Sequence, residues 1–301
     1  MKLVKPSKAF LGLDVSDSVS YQDAKAVIIP FGLEKSVSYF GGTRNGPRAI
    51  IRASHEVELF DEEFWIEPHK EIGIVTFKEP KIHKNLSKSL EQLNDIVEKV
   101  VDDNKFPLVL GGEHSISAGS IRPFVKKYKD LAILHFDAHA DLRDGYEGEY
   151  YSHASALRRC LDDKAQKSEN NIDLVSIGIR NISSEEIPFL ERNQHRINMF
   201  FAKDKKNWDI EKIVSILRNR PVYLTFDVDG FDSSLMPATG TPEPGGLFWD
   251  DVIEIISKVS KNSNIVGADV NELSPRKGMH SCDFLAAKLV YKILSYSFIK
   301  R

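Results

Sequence analysis

The stretch Leu131-Ala-Ile-Leu-His-Phe-Asp-Ala-His-Ala-Asp141 decides how this chain is expected to fold, because an apolar strand runs directly into charged side chains. Residues two apart in an extended backbone share one face, so Asp137, His139 and, if extension persists, Asp141 point the same way. Two carboxylates and one imidazole on one face are typical of a divalent metal site. The alternative is a solvated polar strand end. We favour the ligand array, because these groups are concentrated beside an element expected to be buried.

Short apolar runs of the same kind recur along the chain and predict buried strands. They cover residues 26–31, 107–111, 131–136, 173–178, 222–226 and 264–269. Between them, residues 86–101 and 210–217 carry apolar side chains at helical spacing. The alternation of strands with helices predicts an α/β fold around a parallel sheet, in which ligands bind at the carboxyl ends of the strands.

The composition is that of an ordinary globular protein of 301 residues, with 42% hydrophobic and 28% charged residues and a formal net charge of -3. This balance argues against a general nucleic-acid surface or attraction to anionic membranes. The two cysteines, Cys160 and Cys282, are too few for a disulfide framework. With no apolar run long enough for a secretion signal or a membrane span, we expect a cytoplasmic protein.

The length allows either two average domains or one large α/β domain. No internal repeat, low-complexity tract or long linker divides the chain. We therefore expect a single domain over residues 1–301, with residues 1–24 as a candidate peripheral N-terminal arm.

Two further polar clusters follow predicted strands. In Gly111-Gly-Glu-His-Ser-Ile-Ser117, the paired glycines permit close backbone approach and positive φ, and His114 stands at a strand end. A structural role is the usual alternative for a lone histidine, and a nucleotide site is disfavoured because no phosphate-binding glycine signature is present. In Thr225-Phe-Asp-Val-Asp-Gly-Phe-Asp232, Asp227 and Asp229 share a face. A calcium loop is disfavoured there, because Phe231 stands where the next oxygen ligand is required.

Together, the three clusters supply four carboxylates and two imidazoles, from His114, Asp137, His139, Asp141, Asp227 and Asp229. One metal ion rarely needs six protein ligands, whereas two divalent ions about 3.5 to 4 Å apart would use them. The oxygen-rich set without thiolates suits manganese better than structural zinc. Nickel, cobalt and iron remain compatible with the ligand types.

The sequence resembles the ureohydrolase family, the arginases and agmatinases, over nearly its whole length. The motifs that carry this resemblance are Ser36-Val-Ser-Tyr-Phe-Gly-Gly-Thr-Arg-Asn-Gly-Pro-Arg48, Gly111-Gly-Glu-His-Ser115, Asp137-Ala-His-Ala-Asp141, Phe226-Asp-Val-Asp-Gly-Phe-Asp232 and Asp269-Val-Asn-Glu-Leu273. The resemblance implies a three-layer α-β-α fold with a mostly parallel eight-stranded sheet and two manganese ions per subunit. It also implies a homo-trimer or homo-hexamer that hydrolyses a guanidino group and releases urea.

The resemblance implies a division of the ligands between two metals. The first metal would be held by His114, Asp137, Asp141 and Asp227, and the second by Asp137, His139, Asp227 and Asp229. Asp137 and Asp227 would bridge them. In the implied chemistry, a metal-bridging hydroxide attacks the guanidinium carbon, and Asp141 orients the hydroxide and relays its proton.

Two residues outside the metal set also match the family. Glu272 corresponds to the carboxylate that holds the substrate guanidinium through charge-assisted hydrogen bonds. His153 corresponds to the histidine that shuttles protons, a role suited to a side chain that titrates near neutrality. Without the resemblance, a surface glutamate and a surface or helix-capping histidine are the simpler interpretations.

The segment after Asp141 is similar to the agmatinase branch, so agmatine, hydrolysed to putrescine and urea, is the expected substrate. Arginases continue with an asparagine that helps to hold the substrate carboxylate and tend to place an aspartate after Ile-Gly-x-Arg; this chain has Arg143 and Asn181 there. The acidic loop residues could attract the distal ammonium of agmatine, with a solvated loop as an equal alternative. Those residues are Asp144, Glu147 and Glu149.

Alternatives to agmatine hydrolysis stay open at this point. Leu33-Glu34 and Ala154-Ser155 depart from the agmatinase pattern, and guanidinobutyrate is the nearest rival substrate, with Arg143 as the candidate partner of its carboxylate. A non-catalytic, metal-stabilised assembly subunit would not require His153 and Glu272. A zinc-dependent amide deacetylase on a related fold would keep one metal rather than two.

Overall fold

The computed structural model describes residues 1–162 and 172–299, and one eight-stranded sheet lies at its centre. The strands are β1 (Ala26–Phe31), β2 (Ile74–Thr76), β3 (Phe106–Gly111), β4 (Ala132–Phe136), β5 (Asp173–Ile179), β6 (Ile197–Phe201), β7 (Pro221–Asp227) and β8 (Asn264–Asn271). Their order across the sheet is β2-β1-β3-β8-β7-β4-β5-β6, and all neighbours pair in parallel. The predicted α/β fold with an eight-stranded parallel sheet is confirmed.

Helices cover both faces of the sheet. They are α1 (Gly46–Ser54), α2 (Pro68–Ile72), α3 (Leu86–Asp102), α4 (Ser117–Ser120), α5 (Arg122–Lys127), α6 (Ala156–Leu161), α7 (Ile187–Asn193), α8 (Ile210–Leu217), α9 (Trp249–Asn262) and α10 (His280–Phe298). Helices α1, α2, α8, α9 and α10 contribute to one hydrophobic core, and α3 to α7 contribute to the other. Alternate residues of β1 enter opposite cores, Ile28 the first and Ile29 the second. The result is the predicted three-layer α-β-α arrangement.

The apolar runs predict six of the eight strands, and the two that they miss are the edges of the sheet. Strand β2 has only three residues, and four of the five residues of β6 are only partly buried. All three residues of β2 are buried, but three residues are too few to stand out as an apolar run, whereas the partly exposed β6 carries Asn198 within its run.

Residues 1–24 lie against β2 and α1. The Phe10 N–H donates to Thr76 Oγ1 (3.0 Å), the Leu11 N–H donates to Ser54 Oγ (2.8 Å), and both side chains are buried. The single domain over residues 1–301, which includes positions outside the described ranges, and the assignment of residues 1–24 as an arm stay predictions. None of the helices in the described ranges is long and apolar enough to cross a membrane.

The absence of side chains at Gly111 and Gly112, at the end of β3, lets three chain segments approach one another closely. A Cβ atom at Gly112 would lie 1.9 Å from the Leu33 carbonyl oxygen, and one at Gly111 would lie 2.0 Å from Asn271 Oδ1. Neither glycine has a positive φ, so of the two features that paired glycines permit, the structure has the close backbone approach, and space alone requires glycine here. The close approach holds His114 beside the ends of the neighbouring strands.

Replacing Gly112 by alanine should destabilise the protein, because the Leu33 backbone must move to admit the methyl group. We expect a loss of about 1–3 kcal/mol in the free energy of unfolding, typical of overpacking, measured by guanidinium chloride denaturation. Gly41→Ala is the control, because its Cβ would meet nothing closer than Glu34 Oε1 at 3.5 Å. Equal stability of the two variants would contradict the packing argument.

Candidate metal centre

The six predicted ligands lie together at the carboxyl-terminal edge of the sheet. His114 follows β3 in a short 3-10 turn, residues 137–141 follow β4, and Asp227 and Asp229 stand at the end of β7 and in the turn after it. Strand β8 lies between β3 and β7 and ends next to Glu272. Because all these strands are parallel, their ends meet at one edge, where α/β proteins bind ligands.

One group of side chains surrounds the ring of His114. Its Nδ1 atom lies 3.0 Å from Asp137 Oδ2, 3.0 Å from Asp141 Oδ2 and 3.4 Å from Asp227 Oδ2. All four side chains are buried. These are the residues that the family resemblance assigns to the first metal.

A second group surrounds His139, which is the most exposed of the six. Its Nδ1 atom lies 3.1 Å from Asp229 Oδ2 and 3.5 Å from Asp137 Oδ1. Asp137 therefore stands between the groups, with Oδ2 toward His114 and Oδ1 toward His139. The donor atoms of Asp137, His139 and Asp229 are close enough together to hold one metal ion.

The charges in this cluster favour an added cation. Burial raises the pKa of Asp227 well above its usual value, and the neighbouring carboxylates of Asp229 and Asp137 raise it further. Burial and Asp137 likewise raise the pKa of Asp141 to about 7. Burial acts against a charged imidazole, yet the carboxylates still raise the pKa of His114 and His139 well above the ordinary value. A divalent ion would supply the same positive charge in place of two ring protons.

The backbone at Asp141 differs from the expected extension. Strand β4 ends at Phe136, and Asp141 adopts a left-handed conformation with φ 53°. The expectation that Asp141 shares a face with Asp137 through continued extension is therefore wrong. The left-handed turn brings the Asp141 carboxylate to His114 by another route, at the kind of strained backbone that is concentrated at functional sites.

A buried chain of hydrogen bonds orients the His114 ring. Thr225 donates its hydroxyl hydrogen to Asp269 Oδ1 (2.6 Å), so its oxygen accepts from His114 Nε2–H (2.9 Å). Asp269 is held by further donors from Ser117, Ser120, Tyr223 and Asn271. His114 Nδ1 is then the ring atom with a free lone pair. It is buried and makes no hydrogen bond to any described residue, as a metal ligand requires.

Glu272 and His153 both line a cavity of 280 Å³, which is also lined by all the predicted ligands except the buried Asp137. Glu272 is 8% exposed, has a left-handed φ of 66°, and accepts the His114 N–H at Oε1 (2.6 Å). Burial raises the pKa of Glu272, with the carboxylate of Glu113 adding to the effect. A guanidinium beside Glu272 would favour its ionised form.

Comparisons with known proteins identify the family of this chain. The model of the arginase family matches residues 24–295. An N(1)-aminopropylagmatine ureohydrolase from Synechocystis sp. is 35% identical over 287 residues, which cover 92% of this chain and 90% of that protein. The chain belongs to the arginase family. An agmatinase from Bacillus cereus is 34% identical over 261 residues, which cover 85% of this chain and 86% of that protein.

The fold of a solved relative matches this arginase-family chain almost end to end. The crystal structure of the agmatine ureohydrolase of Thermoplasma volcanium has a TM-score of 0.83 and 30% identity, and the match covers 96% of this chain and 94% of that one. The resemblance to ureohydrolases drawn from the motifs is confirmed.

Sequence reasoning assigned no role to His135, although it precedes Asp137 at the same two-residue spacing. This histidine is fully buried, and burial lowers its pKa. Its Nε2–H donates to Asp137 Oδ2 (2.8 Å), while Nδ1 accepts from Ser176 Oγ (3.0 Å). In this arginase-family site, His135 thus orients the carboxylate that lies between the two histidine groups.

In the loop after Asp141, some side chains line the cavity and others are exposed at the surface. Arg143 lines the cavity with its guanidinium over the Tyr146 ring, 5.0 Å from the centroid. Asp144 pairs instead with Arg159 Nη2 (2.6 Å). Three acidic residues of this loop were candidates to attract the substrate ammonium, namely Asp144, Glu147 and Glu149. All three are exposed, and none is among the described residues that line the cavity. The solvated-loop interpretation therefore fits the structure better than direct contact with a substrate ammonium.

Two other carboxylates line the cavity at positions that no sequence motif marks. They are Glu186, which accepts the backbone N–H groups of Leu142 (2.7 Å) and Ser183 (2.6 Å), and Glu243. Glu186 lies in the sequence six residues after Arg180, and Glu243 lies eleven residues after Asp232, in the loop before α9. Neither position carries a periodic or strand-end signal by which it could have been found.

Replacing Thr225 by valine should weaken metal binding, because His114 loses the acceptor that fixes its ring nitrogen. We expect about a 10–100-fold lower affinity for Mn²⁺, the usual effect of removing a group that orients a ligand, measured by calorimetric titration. Thr76→Val is the matched control, since Thr76 is also buried and hydrogen-bonded but lies on the edge strand β2. A similar loss of affinity in both variants would show that the effect is not specific to His114.

Proposed function

We propose that this arginase-family chain is a binuclear ureohydrolase that hydrolyses agmatine to putrescine and urea, with manganese as its metal. The observation that carries the proposal is the position of Asp137 between the His114 and His139 groups, beneath a cavity that both histidines line together with Glu272 and His153. A single-metal deacetylase would need only one such group. A structural metal would need neither Glu272 nor His153.

The proposed ligands of the two metals are His114, Asp137, Asp141 and Asp227 for one ion and Asp137, His139, Asp227 and Asp229 for the other. Bound divalent ions lower the pKa of water and so make hydroxide available at neutral pH. The four carboxylates and two imidazoles suit manganese. Assembly as a homo-trimer or homo-hexamer and a cytoplasmic location stay predictions.

Three residues of the chain would act on the substrate, each in a different role. Glu272 would bind and orient the guanidinium through charge-assisted hydrogen bonds. Asp141 would hold the attacking group in line and relay its proton toward the departing nitrogen. His153 would exchange protons with the departing amine.

The pKa of His153 is lower than the near-neutral value expected from the sequence. Burial, with the nearby His139 and His114 rings, lowers the pKa of His153 to about 4. The imidazole is therefore neutral at pH 7 and begins the reaction as a proton acceptor. The proton that it takes up is readily passed on, because the imidazolium is destabilised where it stands.

The candidate substrates are guanidino compounds that carry an extended tail. Relatives of this chain include an agmatinase and an N(1)-aminopropylagmatine ureohydrolase, so the longer aminopropyl derivative is a second candidate. The carboxylates of Glu186 and Glu243 in the cavity wall favour a cationic tail. Arg143 in the same wall supports the rival, guanidinobutyrate.

Manganese-loaded protein should release urea fastest from agmatine. The measurement is urea formation from agmatine, N(1)-aminopropylagmatine, 4-guanidinobutyrate and arginine at equal concentrations, with metal content determined on the same sample. Faster turnover of the aminopropyl derivative would make that compound the substrate. Two bound metals without urea from any of the four would reject the proposed reaction.

Replacing Asp141 by asparagine should lower kcat about 100-fold or more, the range of general acid–base contributions. Asparagine has the same shape and tolerates the left-handed backbone at this position, so the fold should be kept. Turnover, metal content and thermal midpoint are measured together. Full turnover with both metals retained would reject the proposed relay.

A further inference from the structure

Two serines of one loop hold the ring of His153 from both sides. Ser38 Oγ lies 2.7 Å from Nε2 of His153, and Ser36 Oγ lies 3.2 Å from Nδ1. Ser36 Oγ also accepts the backbone N–H of His153 at 3.0 Å. Both ring nitrogens of the proposed proton shuttle are therefore in contact with hydroxyl groups of residues 36–38.

The hydroxyl hydrogen of Ser36 is directed at Glu113. Ser36 Oγ donates to Glu113 Oε1 (2.9 Å), and the other contacts of this buried carboxylate also come from donors. They are the backbone N–H groups of Lys35 and Ser36 and the hydroxyl of Ser115. A hydroxyl has one hydrogen, so toward His153 the Ser36 oxygen acts only as an acceptor. The His153 nitrogen that faces it, Nδ1, must then carry a hydrogen.

With Nδ1 protonated, only Nε2 of His153 can gain or lose a proton. In the neutral ring Nε2 has a free lone pair and accepts from Ser38 O–H, and in the charged ring Nε2–H donates to Ser38 Oγ. Ser38 is exposed and lines the same cavity as His153, whereas the imidazole is mostly covered. Ser38 thus connects the ring to the cavity and to solvent.

We infer that Ser38 is the hydroxyl through which His153 exchanges its proton, and that Ser36, backed by Glu113, is a positioning residue that keeps the exchange at Nε2. This inference rests on the proposed ureohydrolase function. When Ser38 passes its hydrogen to Nε2, its oxygen takes one from a water molecule or from a protonated group in the cavity. Imidazolium forms, the hydroxyl is restored, and the reverse transfer returns the proton.

A double-mutant cycle tests the link between Ser38 and His153. Ser38→Ala, His153→Ala and the double variant are compared with the original protein in kcat and KM for urea release. We expect Ser38→Ala to lower kcat about tenfold, less than the 100-fold or more expected for a proton-transfer residue, because water can partly replace the hydroxyl. In the His153→Ala background, the same change should lower kcat less than twofold, since no proton remains to be relayed.

Conservative variants and controls separate relay from structure. Ser38→Thr keeps a hydroxyl and should return kcat to within about threefold of the original. Ser36→Thr should do the same, whereas Ser36→Ala should lower kcat without changing metal content. Ser184→Ala, at an exposed serine outside the cavity, should leave kcat unchanged.

The outcomes distinguish this inference from the proposed function. Urea release by the original protein, combined with equal effects of Ser38→Ala in both backgrounds, would overturn the relay and leave the ureohydrolase function standing. Loss of thermal midpoint or metal content parallel to the loss of kcat in Ser38→Ala would also overturn it. If no guanidino compound yields urea, the proposed function fails first.

Discussion

Four carboxylates crowd together at one buried edge of the sheet, and the surrounding structure is arranged to accommodate their charge. An uncompensated buried carboxylate costs several kcal/mol, so Asp137, Asp141, Asp227 and Asp229 require positive partners close by. His114 and His139 supply two such partners, and the rise in the pKa of both rings shows how strongly the cluster favours positive charge. The same repulsion that makes the cluster costly to fold makes it suited to hold divalent ions.

Residues that do not contact this cluster also orient it through hydrogen bonds. Asp269 lies one hydrogen bond behind Thr225, which in turn lies behind His114. On the far side, Glu113 collects donors from residues 35 and 36 and from Ser115, and so ties the loop beside His153 to the end of β3. Two buried carboxylates outside the ligand set therefore serve as acceptors that orient the groups facing the cavity. Because neither is needed as a ligand, their burial is explained by positioning.

Backbone conformation also positions the groups that face the cavity. Asp141 and Glu272 both have left-handed backbones, which few residues other than glycine adopt. Each turn sends a carboxylate to a place that an extended strand end could not reach. Gly111 and Gly112 contribute in a different way, because side chains there would collide with Asn271 and Leu33. The site therefore has strained backbone at two residues, after β4 and β8, and close packing at two others, at the end of β3.

The family and the substrate are determined at different places in the molecule. The proposed metal ligands come from strand ends within motifs that run in order along the chain, and relatives named for two different guanidino substrates match the chain at 35% and 34% identity. The wall of the cavity is built from loops. It includes Glu186, Glu243 and Arg143, so carboxylates and a guanidinium stand in the same wall, and under the proposed function their balance would decide between cationic and anionic substrate tails.

The sequence by itself determined the α/β class, the central strands and the six side chains that gather at their ends, because burial and strand periodicity are local and leave a pattern in neighbouring residues. It did not determine the edge strands β2 and β6, the left-handed turn at Asp141, or the roles of His135, Glu186 and Asp269. These depend on which residues lie opposite one another across parallel strands and loops that are far apart in the chain. Only the tertiary structure decided them, since a hydrogen bond such as that between Thr225 and Asp269, 44 residues apart, is set by the register of β7 against β8 and not by either segment alone.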